Sequence, residues 1–167
     1  MPHPKSVDPA QPVPAFSEHD HGNCRGDALA RAEAIVDAAG GRLTPVRRRA
    51  LEILLSEHRA FGAYEVLDRL TEDGAARQPP VAYRALDFLV EMGLAHRIRR
   101  LNAFAACSHP GEVHAPLFLI CETCKAVAET PAPKVREALE DVAARAGFTV
   151  ARANVEAVGQ CPACAAA

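Results

Sequence analysis

Four of the six cysteines stand in two Cys-x-x-Cys pairs, Cys121/Cys124 and Cys161/Cys164, with 36 residues between the pairs. Such a turn supplies two thiolates from one bend, and zinc takes four ligands in a tetrahedron. Each pair closes a strand-like run, LFLIC and VEAVGQC. Two turns sharing one ion would therefore clip the last strand to the first, which reads as a structural four-cysteine site. The competing chemistry is a thioredoxin-like redox pair. That requires a Cys-x-x-Cys opening a helix after a strand, whereas Cys124 is followed by strand-like AVAET.

A closed four-thiolate site leaves Cys107, His96, His114 and Glu129 over. One sulfur, two imidazoles and one carboxylate make a complete tetrahedral set for zinc, softer than iron(II) or manganese favour. Taken singly, a histidine on a hairpin is ordinarily a surface residue, and Cys107 a small core hydrophobe. Together they admit a closed regulatory site, or a hydrolytic one in which His96, Cys107 and His114 hold the ion and Glu129 serves as base. His19, His21 and Cys24, in SEHDHGNC, also have metal-like spacing and make a candidate third site.

The elements that must position these residues follow from periodicity. Five prolines among the first 14 residues exclude a helix or central strand there, so residues 1–26 are expected as a flexible tail. Helical spacing of Leu29, Ile35, Val36 and Ala39 ends at Gly40-Gly41. LTPVRRRALEILLSEH follows, with Thr44 as N-cap and Pro45 at the first helical position. FGAYEVLDRLTEDG predicts a third helix, and PPVAYRALDFLVEMG a fourth, stopped by Gly93. The period then changes to two: AHRIRR and NAFAAC predict a hairpin about Leu101-Asn102. Short helices followed by a hairpin are the order of a winged helix-turn-helix over residues 27–107. Pro110-Gly111 marks a hinge at 108–115. Residues 116–167 predict a second α/β unit with strands to Ile120, over AVAET and over FTVARANVEAVG, and a helix from Pro133 to Ala146. That unit is small enough to need a metal staple or a partner chain. The fold class is α+β.

Composition narrows the setting. No run of apolar residues is long enough to span a membrane, and the N-terminus lacks the apolar core of a signal peptide, so a cytoplasmic location is expected. Six cysteines in a reducing compartment favour metal over disulfides. Net charge is only −2, yet residues 25–100 carry 13 arginines against 11 acids, with runs at Arg47–Arg49 and around Arg97–Arg100. Such runs are as often solvated faces as nucleic-acid contacts.

RLTPVRRRALEIL, GAYEVLDRL, PPVAYRALDFLVEMGLAHRI, the series Cys107, His114, Cys121-x-x-Cys124, Glu129 and the terminal Cys161-x-x-Cys164 together resemble the ferric uptake regulator family of bacterial metal-sensing repressors, its zinc uptake regulator branch above all. The resemblance implies a homodimer of winged-helix domains joined by C-terminal dimerisation domains, binding inverted-repeat operator DNA and repressing zinc-uptake genes. It implies two Zn2+ per chain: a structural ion at Cys121, Cys124, Cys161 and Cys164, and a regulatory ion in the hinge at His96, Cys107, His114 and Glu129. Iron-sensing relatives carry His-x-His where this chain has Pro116 and Phe118, which disfavours iron and peroxide sensing. Sensing of another metal or of redox state by the same scaffold stays open. The family's Thr-Val ahead of the recognition tyrosine is Val81-Ala82, so a hydroxyl contact is lost or moved. In a winged helix the recognition helix enters the major groove, which assigns base contacts to Tyr83 and Arg84. Phosphate contacts fall to Tyr64, Arg47 and Arg48, and Arg42 is a candidate for the minor groove.

Overall fold

The computed structural model describes residues 14–16, 21–112, 115–151 and 153–166, with the side chains of Pro14 and of residues 21–24 outside the description. After a 3-10 turn at Pro14–Phe16 come α1 (His21–Ala38), α2 (Pro45–Leu54), β1 (Phe61–Gly62), α3 (Ala63–Glu72), α4 (Pro79–Glu91), β2 (Ala95–Ile98) and β3 (Ala103–Ala106). The first sheet is ordered β1-β3-β2 and is antiparallel throughout. This unit is a winged helix-turn-helix with an additional N-terminal helix.

Local chemistry sets the helix ends. Thr44 accepts from the Arg47 N–H at 3.5 Å, and proline occupies the first turn of α2. Gly93, at φ 68°, turns the chain out of α4 towards β2. The core gathers one face of each helix: Ala32 and Val36, then Ala50, Leu51, Ile53 and Leu54, then Val66 and Leu70, then Leu86 and Leu89. Each large apolar side chain so buried stabilises the fold by about 1.5–3 kcal/mol.

Beyond the hinge lie β4 (Pro116–Cys121), β5 (Val127–Pro131), α5 (Pro133–Arg145), β6 (Val155–Gly159) and a short α6 (Pro162–Ala165). The second sheet is ordered β5-β4-β6, with β4 antiparallel to β5 and parallel to β6, so α5 is the crossover between its two edges. Phe118 pairs with Glu129 on one side and Glu156 on the other. All three therefore lie in one row on one face.

Three expectations are corrected. The first helix starts at His21, inside the segment expected as tail, because poor helix formers can continue a ladder whose later turns are packed against α2. Phe61–Gly62 pairs with β3 and is not helical; two residues are too few to show a period. The last strand covers only Val155–Gly159, the length over which β4 offers partners.

Candidate metal centres and nucleic-acid interface

The four paired cysteines converge. Their Sγ atoms all lie within 4.8 Å of one another, and Cys124 Sγ stands 3.8 Å from Cys161 Sγ. A tetrahedron with zinc–sulfur bonds of about 2.3 Å has an edge of about 3.8 Å, so the donor set fits zinc. The parallel β4–β6 pairing brings the two turns together: Cys121 sits opposite Gly159, and the Glu122 N–H donates to Gly159 O at 2.9 Å. Lys125, at φ 63°, closes the first turn, and its N–H reaches Cys121 O at 3.0 Å. The N–H groups of Cys124 and then Cys161 hold the Cys121 thiol down at about 6, so it ionises readily. Hydrogen bonding with Cys161 and Cys124 pushes Cys164 up to about 12. Four adjacent sulfurs that cannot all ionise alone can do so around a cation. Cys161 does open a helical turn, at α6, unlike the strand-like sequel to Cys124; all four sulfurs share one site nonetheless.

The second cluster lies where the wing meets β5. His96 Nε2 is 3.2 Å from Glu129 Oε1, and Cys107 Sγ is 3.9 Å from the same oxygen. The Ser108 N–H donates to Glu129 Oε2 at 2.7 Å, fixing the carboxylate, whose side chain is 3% exposed. The His96 ring packs edge-on against Phe118, with centroids 5.2 Å apart. Imidazole nitrogen, thiol sulfur and carboxylate oxygen all fall within 4.8 Å of one another, a donor set that suits zinc. Burial, then the charge of Glu129, pushes Cys107 up to about 12, so a cation bound here must displace its proton. His114, expected as the fourth ligand, lies outside the described residues, as does His19. His21 and Cys24 fall on the first turn of α1, their side chains outside the description.

On the winged helix, α4 buries Ala82, Ala85, Leu86 and Leu89 and leaves Tyr83, 36% exposed, and Arg84 on the exposed face. Tyr64, on the first turn of α3, is 66% exposed. The arginine run is otherwise engaged. Arg47 stacks over the Phe88 ring at 3.6 Å and donates to Arg42 O at 2.9 Å. Arg48 pairs with Glu33 and with Glu52, and Arg49 with Asp73 at 2.6 Å and with Glu52. Among the described residues no ion pair involves Arg42 or Arg84. Two contributors escaped sequence reasoning: the Ser108 N–H, and Glu156, whose partners depend on strand register and have no local signature.

The family model of the ferric uptake regulators matches residues 38–158. The zinc uptake regulation protein of Escherichia coli (strain K12) is 37% identical over 139 residues, 83% of this chain and 81% of the relative. A solved zinc uptake regulator complexed with zinc and DNA superposes with a TM-score of 0.81 at 36% identity, over 85% of this chain and 95% of that one. Holo XcZur superposes at 0.77 and 37% identity, covering 84% of this chain and 99% of that one. Apo XcZur, nearly as similar in sequence at 35% and covering 86% and 99%, superposes only at 0.52. The chain belongs to the ferric uptake regulator family, in its zinc uptake regulator branch.

Proposed function

We propose that this protein is a zinc-responsive transcriptional repressor that binds inverted-repeat operator DNA as a zinc-loaded homodimer and represses zinc-uptake genes in the cytoplasm. The observation that carries the reading is the meeting of His96 and Cys107, from the winged helix, with Glu129, from the second unit, at the joint between them. Members of the family are transcription regulators and not enzymes, so the hydrolytic reading of this site is dropped.

Two Zn2+ per chain fit the donors. Cys121, Cys124, Cys161 and Cys164 would hold the structural ion; His96, Cys107, His114 and Glu129 would hold the regulatory one. At the hinge the ion would supply a tie between ligands on separate units. The chain's own residues do the rest: Glu129 is held rigid by Ser108, and His96 is oriented by Phe118, so the wing docks against β4 and β5. A ligand that favours this closed arrangement shifts the population towards it, and by linkage DNA tightens the ligand equally. His19, His21 and Cys24 are a candidate for a third, weaker site.

Dimerisation is supported by an apolar surface that a single chain leaves uncovered. Val135, Leu139 and Val142 recur along one face of α5 and are 41%, 37% and 60% exposed; Phe148, after α5, and Val158, on β6, are 67% and 42% exposed. Two recognition helices in a symmetric pair would then meet half-sites a helical turn or more apart. Tyr83 and Arg84 would read base edges, and Tyr64, Arg42, Arg47 and Arg48 would contact the backbone.

The decisive experiment measures binding of a zinc-uptake operator duplex across buffered free-zinc concentrations, with native mass spectrometry counting metals per dimer. Two ions retained at the lowest zinc, two more at a higher threshold and DNA binding that follows the second step are expected. Only two ions at every concentration would overturn the zinc-sensing role.

A further inference from the structure

The wing hairpin is held at two places. At its base, His96 and Cys107 face Glu129. At its tip, the side chain of Glu156 on β6 accepts from two consecutive main-chain donors, the Arg99 N–H at 2.8 Å through Oε1 and the Arg100 N–H at 2.9 Å through Oε2. Asn154 Nδ2 donates to Glu156 Oε1 at 3.2 Å and steadies it. The turn itself is shaped to present those donors: Asn102 N–H closes on Arg99 O at 3.1 Å, with Asn102 at φ 46°. Between the two clamps Ile98 and Ala105 of the wing pack with Phe118, Ile120 and Val127 of the second sheet, and Leu101 from the turn covers the edge.

We propose that Glu156 is a positioning residue that sets the angle of the DNA-binding domain by clamping the wing tip, independently of metal, and thereby raises the zinc affinity of the hinge. It deepens the regulatory reading above and rests on it for its link to zinc. Glu129 and Glu156 occupy the same row, one strand either side of Phe118, so they stand about 10 Å apart by strand spacing. One row thus grips the two ends of one hairpin. Contacts from a carboxylate to main-chain N–H groups are charge-assisted and directional. They exist only when the wing lies on the sheet, so they favour the same closed arrangement that brings Cys107 and His96 to Glu129. By linkage, any contact restricted to the closed arrangement must strengthen binding of a hinge ion, because apparent affinity scales with the competent fraction.

The test uses the full-length dimer with Glu156→Ala and Glu156→Gln, neither of which touches a proposed metal ligand. Hydrogen exchange over the wing turn, 99–102, is followed in protein stripped of hinge metal, and zinc uptake is then titrated in buffered free zinc by native mass spectrometry. Slow exchange of Arg99 and Arg100 in wild type, fast exchange in Glu156→Ala, and a hinge zinc affinity about tenfold lower in that variant are expected. Glu156→Gln, which keeps one acceptor oxygen, should fall between, with dimer mass and the tightly held zinc unchanged. Fast exchange at the turn in wild type, or hinge affinities within about twofold of each other, would overturn the clamp. Protection that depends on Glu156 in a wild type taking up no second pair of ions would uphold the clamp and overturn the zinc-sensing reading instead.

Discussion

Glu129 and Glu156 flank Phe118 in a single row across the second sheet and hold the base and the tip of the same wing hairpin. The base contact uses side chains that suit a metal, and the tip contact uses main-chain donors that do not. This division separates what metal removal should release from what it should leave in place.

Replacing Cys107 with serine should abolish the regulatory step alone. The hydroxyl is a far poorer zinc ligand than a thiolate, so hinge affinity should fall by at least about 100-fold. The dimer and its tightly held zinc should persist. A zinc titration scored by operator binding and by mass checks this, and operator affinity equal to wild type at the same free zinc would remove the hinge mechanism.

Cys124→Ser should act on folding. Structural zinc sites contribute about 10–16 kcal/mol in small domains, and this unit's described core beyond the wing contacts is thin, with α5 burying only Ala143. Circular dichroism and sedimentation should report loss of the second unit and of the dimer. A stable, zinc-free dimer of that variant would contradict the structural role.

Arginines 84 and 48 should separate cleanly. Arg84 makes no ion pair among the described residues, so Arg84→Ala should cost about 1–3 kcal/mol in operator binding and relax selectivity at one base pair. Arg48 pairs with Glu33 and Glu52, and releasing it for phosphate would forfeit those pairs. Its alanine variant should lose less affinity, uniformly across sequences. Titration of operator and scrambled duplexes at several salt concentrations distinguishes the two.

Acid should loosen the α2–β1 loop. The Arg59 guanidinium bonds Glu65 and Glu57 and lies 3.9 Å over the Phe61 ring, holding both carboxyls below their ordinary range. A depressed folded value means the stabilisation is present above the unfolded carboxyl range and is lost as pH falls through the folded value, below 4.5. These groups are partly exposed, so the pairs together contribute about 1 kcal/mol or less. Chemical denaturation from neutral pH down to about pH 3 should therefore show a shallower acid slope in Arg59→Ala than in wild type. Identical slopes would assign the acid sensitivity elsewhere.

The loop has a further bearing on the joint, since Arg59 pairs with Ala126 and the Val127 N–H donates to His58 O at 3.1 Å. The first residues after the Cys121-x-x-Cys124 turn thus touch the winged helix directly. Loss of the four-cysteine site would disturb the DNA-binding domain's seat as well as its own unit.

Much of this protein is legible in the chain itself. The two Cys-x-x-Cys turns, Pro45 and Thr44 at a helix start, Gly93 at a helix end and the change of period at Ala95 are local signals, because metal-ligand bends, caps and alternation depend on residues close in sequence. They yield the winged helix, the second α/β unit and the four-cysteine cluster. The helix after Pro133 is legible, but the exposure of its Val135, Leu139 and Val142 in one chain is not. Which faces meet has no local signature: Arg47 lies on Phe88, the Ser108 N–H fixes Glu129, and Glu156 grips the turn at Arg99 and Arg100. Those pairings are set by strand register and by the docking of two units, and a one-residue slip in β4 would turn Phe118 away from the wing without changing any local pattern.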